Sequence, residues 1–278
     1  MGNTQEREEG KVTKMCGFNS FEKLDEEIFR LCVPFENIYT SVFAFCTPQG
    51  WLLADTGSNS SDVQNHIVPA LERSGIVPSV IVVTHSHGDH GGGLVELARL
   101  FPQADVGICD KAFAQSYSEV GNGKEGRVKS LSDNELILGC IRVLALGGHS
   151  EDSVALFDER TKTLVSGDCI QLCGVGRWGT GIEDGKAYFS AHERLLNMDI
   201  RKIIASHEYV PYGFCADGNE EVAEYLRYSR AYAEALSDYA QKCISCGETD
   251  LNKISEKYIA ENPALPPVHG GTFRALSM

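Results

Sequence analysis

Four consecutive apolar residues, Val80–Val83, read as a strand buried on both faces, and they open almost at once onto His85-Ser86-His87-Gly88-Asp89-His90. Three of the chain's eight histidines fall in that six-residue window. From this composition an HxHxDH pattern arises by chance on the order of once in a few thousand such sequences. A strand end holds His85 and His87 two residues apart, so both imidazoles can turn toward one metal ion. The glycine-rich turn that follows lets Asp89 and His90 reach a second position.

Other residues suited to metal binding stand where that cluster needs company. His149 follows the expected strand Ile141–Leu146, Asp168 follows Thr163–Val165, and His207 follows Lys202–Ala205. Asp55 follows Trp51–Ala54, ahead of Thr56-Gly57. Strand ends that converge on one edge gather distant residues at one site. Asp55 has a plainer alternative, fixing a tight turn through an Asx interaction.

The wider pattern predicts an α+β chain built as an αββα sandwich rather than a parallel doubly wound sheet. Strands are expected at Ile28–Phe35, Ser41–Thr47, Trp51–Ala54, Val80–Val83, Val106–Cys109, Leu136–Leu138, Ile141–Leu146, Val154–Phe157, Thr163–Val165 and Lys202–Ala205. Helices are expected at Ser61–Arg73, kinked by Pro69 and ended by Gly75, and at Leu94–Leu100, Lys111–Ser116 and Lys186–Asn197, with a loop at Gly121–Gly126. Residues 1–14 read as a disordered tail, 15–215 as the sandwich and 216–278 as a helical extension. In the extension, Glu220–Cys243 and about Asp250–Ala260 have helical spacing, and Pro263, Pro266 and Pro267 then break regular structure. It could cap a site, form a homodimer face or pack on the sandwich.

A formal net charge of −14 repels phosphate backbones, so no nucleic-acid partner is expected. Apolar runs fall far short of the roughly 20 residues a bilayer span needs, so no membrane partner is expected either. The polar N-terminus carries no export pattern, and Glu6 stands where a myristoylation signal wants Ser or Thr, which together imply a cytoplasmic protein. The ten cysteines are irregularly spaced and read as buried free thiols. Cys243 and Cys246 form a CxxC with no second pair to complete a zinc site.

The segments Ala54–Gly57 (ADTG), Thr84–His90 (THSHGDH), Gly147–Ser153 (GGHSEDS), Ser166–Asp168 (SGD) and Ala205–Tyr209 (ASHEY), in this order, resemble the metallo-β-lactamase-fold hydrolase superfamily. The resemblance covers about residues 25–210. It implies a dinuclear site in which His85, His87 and His149 hold one metal, Asp89, His90 and His207 hold the other, and Asp168 bridges them. Asp55 would orient the ligand loops. Two departures mark this chain. The third motif often reads GHTPG in the superfamily, but here it is GHSEDS; and secreted zinc β-lactamases often have Cys where Asp168 stands. The carboxylate is more like glyoxalase II, lactonases and other intracellular esterases, although the basic glutathione-binding residues of glyoxalase II are not recognisable.

What the resemblance implies is a hydrolase of a small ester, thioester or lactone. Its nucleophile would be a hydroxide bridging two divalent metals, zinc by default with iron or manganese tolerated, and Asp89 would be its proton shuttle. The alternatives are a phosphodiesterase, a diiron redox protein of the same fold, or a non-catalytic metal-binding sensor. His66 and His192 read as surface or packing residues, and His269 as a loop histidine. Trp178, Tyr209 and Tyr212 follow ligand positions and fit either a substrate cavity or the core.

Overall fold

Alternation along the strands decides the layering, because successive side chains of a strand point to opposite faces. Phe43, Phe45, Leu52, Ala54 and Val82 of one sheet meet Val143, Leu156, Val165 and Ile204 of a second. Their chain neighbours Val42, Ala44, Leu53, Ile81 and Val83 face the other way, onto Ile67, Leu71, Leu94 and Leu97 of the helices. Leu144, Leu164, Ile203 and Ala205 likewise back onto Ala191, Leu195 and Leu226. The result is helix, sheet, sheet, helix, the expected αββα sandwich. Truncating Phe43, fully buried between the sheets, to Ala would cost about 3–5 kcal/mol.

The structure is a computed structural model that describes residues 19–109 and 128–277. The first sheet orders β1 (Glu22–Lys23), β2 (Ile28–Phe35), β3 (Ile38–Thr47), β4 (Gly50–Ala54), β5 (Pro78–Val83), β6 (Asp105–Ile108) and β7 (Val128–Ser130) in sequence. The second orders β13 (Gly213–Asp217), β12 (Lys202–Tyr209), β11 (Thr163–Val165), β10 (Val154–Asp158), β9 (Ile141–Ala145) and β8 (Leu136–Ile137). β4 to β7 run parallel, as do β11 and β12.

The helices among the described residues are α1 (Ser60–Asp62), α2 (Val68–Ser74), α3 (Gly88–Gly91), α4 (Leu94–Leu100), α5 (Gly185–Leu196), α6 (Asn219–Ser245), α7 (Leu251–Glu261) and α8 (Gly270–Ser277). Pro69 does interrupt the first amphipathic stretch, and the interruption is a π-helical turn, Val63–Ile67, between α1 and α2. Pro69 then sits in the first turn of α2, where its missing N–H costs nothing.

Several expectations need correction. Val80 is only half-buried, so β5 is not covered evenly on both faces. β12 runs on through His207 to Tyr209, and β13, unforeseen, pairs with it. Regular structure resumes after the prolines as α8, with Thr272, Phe273 and Leu276 buried. Cys140, Cys169, Cys173 and Cys243 are buried thiols as expected, but Cys46, Cys109 and Cys215 are only half-buried, Cys246 is exposed and Cys32 is disulfide-bonded. The tail at 1–14, the helix Lys111–Ser116 and the loop Gly121–Gly126 lie outside the described residues. Among the described residues no helix is long and apolar enough to cross a membrane.

The C-terminal helices lie against the sandwich. Val222, Tyr225 and Leu226 of α6 join the core beneath the second sheet. Farther along, Ala233, Leu236 and Ala240 meet Ile254, Tyr258 and Phe273 of α7 and α8 in a further core that also takes in Ile182 and Tyr188.

Candidate metal centre

β5 ends at Val83, and Thr84 and His85 leave the sheet directly from it. His87 is the N-cap of α3, so Asp89 and His90 are carried by a single helical turn rather than by a loose loop. The glycines after it let this turn lie against the Asp55–Ser58 segment. A Cβ on Gly92 would stand 2.0 Å from the Ser58 carbonyl oxygen, and one on Gly93 2.1 Å from that of Thr56.

All seven sequence-predicted ligands come together. His149 Nε2 lies 3.2 Å from His85 Nε2 and 3.0 Å from His87 Nδ1. On the other side, Asp89 Oδ2 is 3.4 Å from His90 Nε2 and 3.4 Å from His207 Nε2. Asp168 stands between the two groups. Its Oδ2 is 3.6 Å from His149 Nε2 and 3.4 Å from His207 Nε2, and its Oδ1 is 3.6 Å from His90 Nε2. Ligand atoms of His85, His87 and His149 lie within 4.8 Å of one another, as do those of Asp89, His90 and His207 and those of His85, His90 and Asp168.

The outer ring nitrogens explain which atoms face inward. His149 Nδ1–H donates to the Gly181 carbonyl at 2.7 Å, and His207 Nδ1–H to the Tyr39 carbonyl at 2.7 Å. A carbonyl can only accept, so each ring donates its Nδ1–H outward and turns Nε2 to the centre. His90 Nδ1–H donates to Asp55 Oδ2 at 2.8 Å. Asp55 also accepts from the Thr84 N–H (2.8 Å) and hydroxyl (3.0 Å), and the same hydroxyl lies 3.1 Å from His85 Nδ1. Asp55 therefore braces both ligand groups, and its backbone is held at φ 68, a conformation costing about 1–3 kcal/mol.

Burial and charge then set the protonation states. Burial pulls His85 well below the ordinary histidine range, with the neighbouring His90 and His149 adding to it. His149 is also lowered by burial, which the Asp168 carboxylate only partly opposes. Burial likewise pulls on His90 and His207, but carboxylates outweigh it and both are raised: Asp89 and Asp168 act first on His90, and Asp168 on His207. Burial raises the Asp168 carboxyl, and the charges of His207 and His90 outweigh that and hold it well below the usual range.

The donor set fits divalent cations. His90 Nε2 and Asp168 Oδ1 are buried and have no hydrogen-bond partner, and both face the middle of the cluster. A buried ring nitrogen and a carboxylate oxygen left without partners are costly, and a cation between them, displacing any ring proton, would satisfy both.

Sequence reasoning missed the supports. Gln171 donates to the Asp168 carbonyl (2.8 Å) and to the Tyr209 hydroxyl (3.1 Å), and accepts from Gly181 N–H (3.0 Å). It links the Asp168 loop to the residue whose carbonyl holds His149. Asp152, in the acidic turn after His149, accepts from Ser86 N–H. Neither contact has a local sequence signal beyond that unusual turn. Of the aromatics, Trp178 and Tyr209 line the cavity that opens onto the cluster. Tyr212 points to solvent and donates to Glu224. His192 is fully buried beside Ser229, His66 lies against Asn19, and His269 is exposed.

A family model described as the metallo-β-lactamase superfamily matches residues 36–208. The chain belongs to the metallo-β-lactamase superfamily. The solved structure of a β-lactamase domain protein from Burkholderia ambifaria superposes on it with a TM-score of 0.70, 18% identity, and coverage of 96% of this chain and 89% of that one. A lactamase-like protein from Pestalotiopsis microspora is 24% identical over 197 residues, 71% of this chain, which spans only 58% of that relative's length. A hydroxyacylglutathione hydrolase from Xanthomonas axonopodis pv. citri (strain 306) is 29% identical over 205 residues, 73% of each chain. The superfamily match begins at the β2–β3 turn and ends within β12, so it takes in every strand end that carries a candidate ligand.

Proposed function

We propose that this metallo-β-lactamase-fold protein is a hydrolase that cleaves a small ester, thioester or lactone and depends on a pair of divalent cations. The observation that carries the reading is the pair of partnerless buried atoms, His90 Nε2 and Asp168 Oδ1, inside a cluster where the Nδ1 atoms of His149, His207 and His90 are already tied to two carbonyls and a carboxylate. His85, His87 and His149 would hold one ion, Asp89, His90 and His207 the other, with Asp168 shared. Zinc suits the histidine-rich set, and the two aspartates also accommodate iron or manganese. Such ions supply an acidified water and a Lewis acid for the substrate carbonyl.

The chain's own residues do the rest. Asp89 lines the cavity and is held by the Thr40 hydroxyl at 2.7 Å, so its carboxylate is fixed where it can take a proton from water and return it to the leaving group. Tyr39 and Gly181, through their carbonyls, keep His207 and His149 in the tautomer that a cation needs.

Metal analysis and a panel of esters, thioesters, lactones and phosphodiesters test this together. The expected result is hydrolysis of a carbonyl substrate that a chelator abolishes and added metal restores. Asp168→Ala should lose more than the roughly 10–100-fold typical of an outer support. A purified protein that takes up no metal, or an Asp168→Ala variant as active as the parent, would overturn it.

A further inference from the structure

Two aromatic rings stand together at the mouth of the cavity. Phe35 ends β2 and Trp178 comes from the segment between β11 and α5; their ring centroids are 5.4 Å apart and their planes 21° from parallel. The residues beside them are joined as well. Arg177 is ion-paired with Glu36, and its guanidinium carbon lies 5.1 Å from the Trp178 ring centroid. An exposed ion pair of this kind adds little binding energy, but it commits Arg177, the cationic group beside Trp178, to a carboxylate.

The wall behind Trp178 is fixed rather than loose. Gly176 passes so close to the β2–β3 turn that a Cβ there would come 2.9 Å from Ile38 Cγ2. Thr180 N–H donates to the Pro267 carbonyl at 3.2 Å, and the Thr180 carbonyl accepts from the Thr272 hydroxyl at 2.8 Å. The C-terminal segment thus backs the strip that carries Val175, Trp178 and Gly181.

The chemistry of this cavity, about 520 Å³, is divided. Its floor holds His87, Asp89, His149, Asp168 and His207, while its outer wall is Phe35, Ile38, Val175 and Trp178. Among the described residues that line it, none is lysine or arginine. A carboxylate seated against that wall would lose water without gaining a counter-ion, whereas a hydrocarbon chain would gain from the same transfer.

We propose that the part of the substrate remote from the reacting carbonyl is an uncharged, apolar acyl chain, packed against Phe35, Ile38, Val175 and Trp178. The cavity correspondingly selects against acyl groups that carry a carboxylate there. The inference deepens the hydrolase reading above, and its kinetic test rests on that reading.

Two measurements separate the failure of one from the failure of the other. In the first, metal-loaded protein is given neutral thioesters of one alcohol-free thiol with acetyl, butanoyl, hexanoyl and octanoyl groups, and a succinyl thioester as the carboxylate-ended control. kcat/KM should climb by roughly threefold to fourfold for each methylene that reaches the wall, and the succinyl compound should fall below the butanoyl one. Trp178→Ala should flatten that climb, losing about tenfold more on hexanoyl than on acetyl. A flat series, a preference for succinyl, or an unchanged slope in Trp178→Ala would overturn the proposal.

The second needs no turnover. The chain has two tryptophans, so Trp51→Phe leaves Trp178 as the sole indole reporter. Titration with hexanamide and octanamide should change its emission with affinity rising along the series, and adipate monoamide should bind at least tenfold more weakly than hexanamide. If none of the esters, thioesters or lactones is hydrolysed but this order is seen, the hydrolase reading fails and the apolar site stands. If the order is absent, the proposal fails whatever the kinetics show.

Discussion

Asp152 Oδ2 accepts a 2.7 Å hydrogen bond from the backbone N–H of Ser86, the residue between His85 and His87. The other oxygen of the same carboxylate accepts from the Ser150 hydroxyl at 2.7 Å. One side chain therefore joins the turn after His149 to the loop carrying two histidines of the same cluster. That accounts for the acidic GHSEDS turn that set this chain apart from the commoner superfamily pattern.

Removing that link should loosen the three-histidine group. Asp152→Ala is expected to weaken metal retention by about tenfold or more, as loss of an outer partner typically does, and to cost the fold only about 1 kcal/mol. Competition with a chelator alongside thermal unfolding of the metal-free protein measures both. Superimposable chelation curves for parent and variant would rule out the role.

Asp55→Asn should act on the other group first. The variant keeps an acceptor for Thr84 but replaces the charge that holds His90 Nδ1–H. Metal content measured after dialysis should drop from a pair of ions toward a single one, with affinity at the weakened position falling roughly 10–100-fold. Equal retention of both ions would contradict this.

Metal uptake should release protons. His90 and His207 are raised by the carboxylates beside them, so without metal they keep protons to higher pH than ordinary histidines. Their contribution to the metal-free fold is complete below about pH 6.5 and fades as pH rises through their elevated values. A cation needs both rings bare, so its affinity must weaken as pH falls. Calorimetric titrations in buffers of different ionisation enthalpy should give different apparent heats near pH 7; identical heats would show that no proton leaves.

His192 should make the fold acid-sensitive. Its Nδ1–H donates to the Tyr188 carbonyl and its Nε2 accepts from the Ser229 hydroxyl. Burial pushes it down from 6.5 to about 4. The unfolded chain thus binds a proton that the native state refuses between those values, so the stabilisation is intact above pH 6.5 and lost as pH falls toward 4. The loss amounts to about 3 kcal/mol by linkage. Unfolding curves for His192→Gln should be flatter over that window than those of the parent, and parallel curves would assign the acid sensitivity elsewhere.

The sandwich and the seven side chains that cluster at its edge could be read from the residues in order. Both rest on short-range pattern. Period-two alternation tells each strand which faces to bury, and a ligand at the end of a strand is delivered to a common edge once the sheets pair. His85, His87, Asp89 and His90 were legible as a group because they are neighbours in the chain. His149, Asp168 and His207 were legible from their positions after apolar runs. What surrounds them comes from the folded arrangement. The Tyr39 and Gly181 carbonyls, the Gln171 amide, the Asp152 carboxylate and the paired rings of Phe35 and Trp178 act across chain separations that leave no periodic trace. α8 and β13 escaped for the same reason, since each is stabilised by what it packs or pairs with rather than by its own propensity. A hydrogen bond to a distant backbone atom depends on where two segments meet, and that is fixed by packing of the whole molecule.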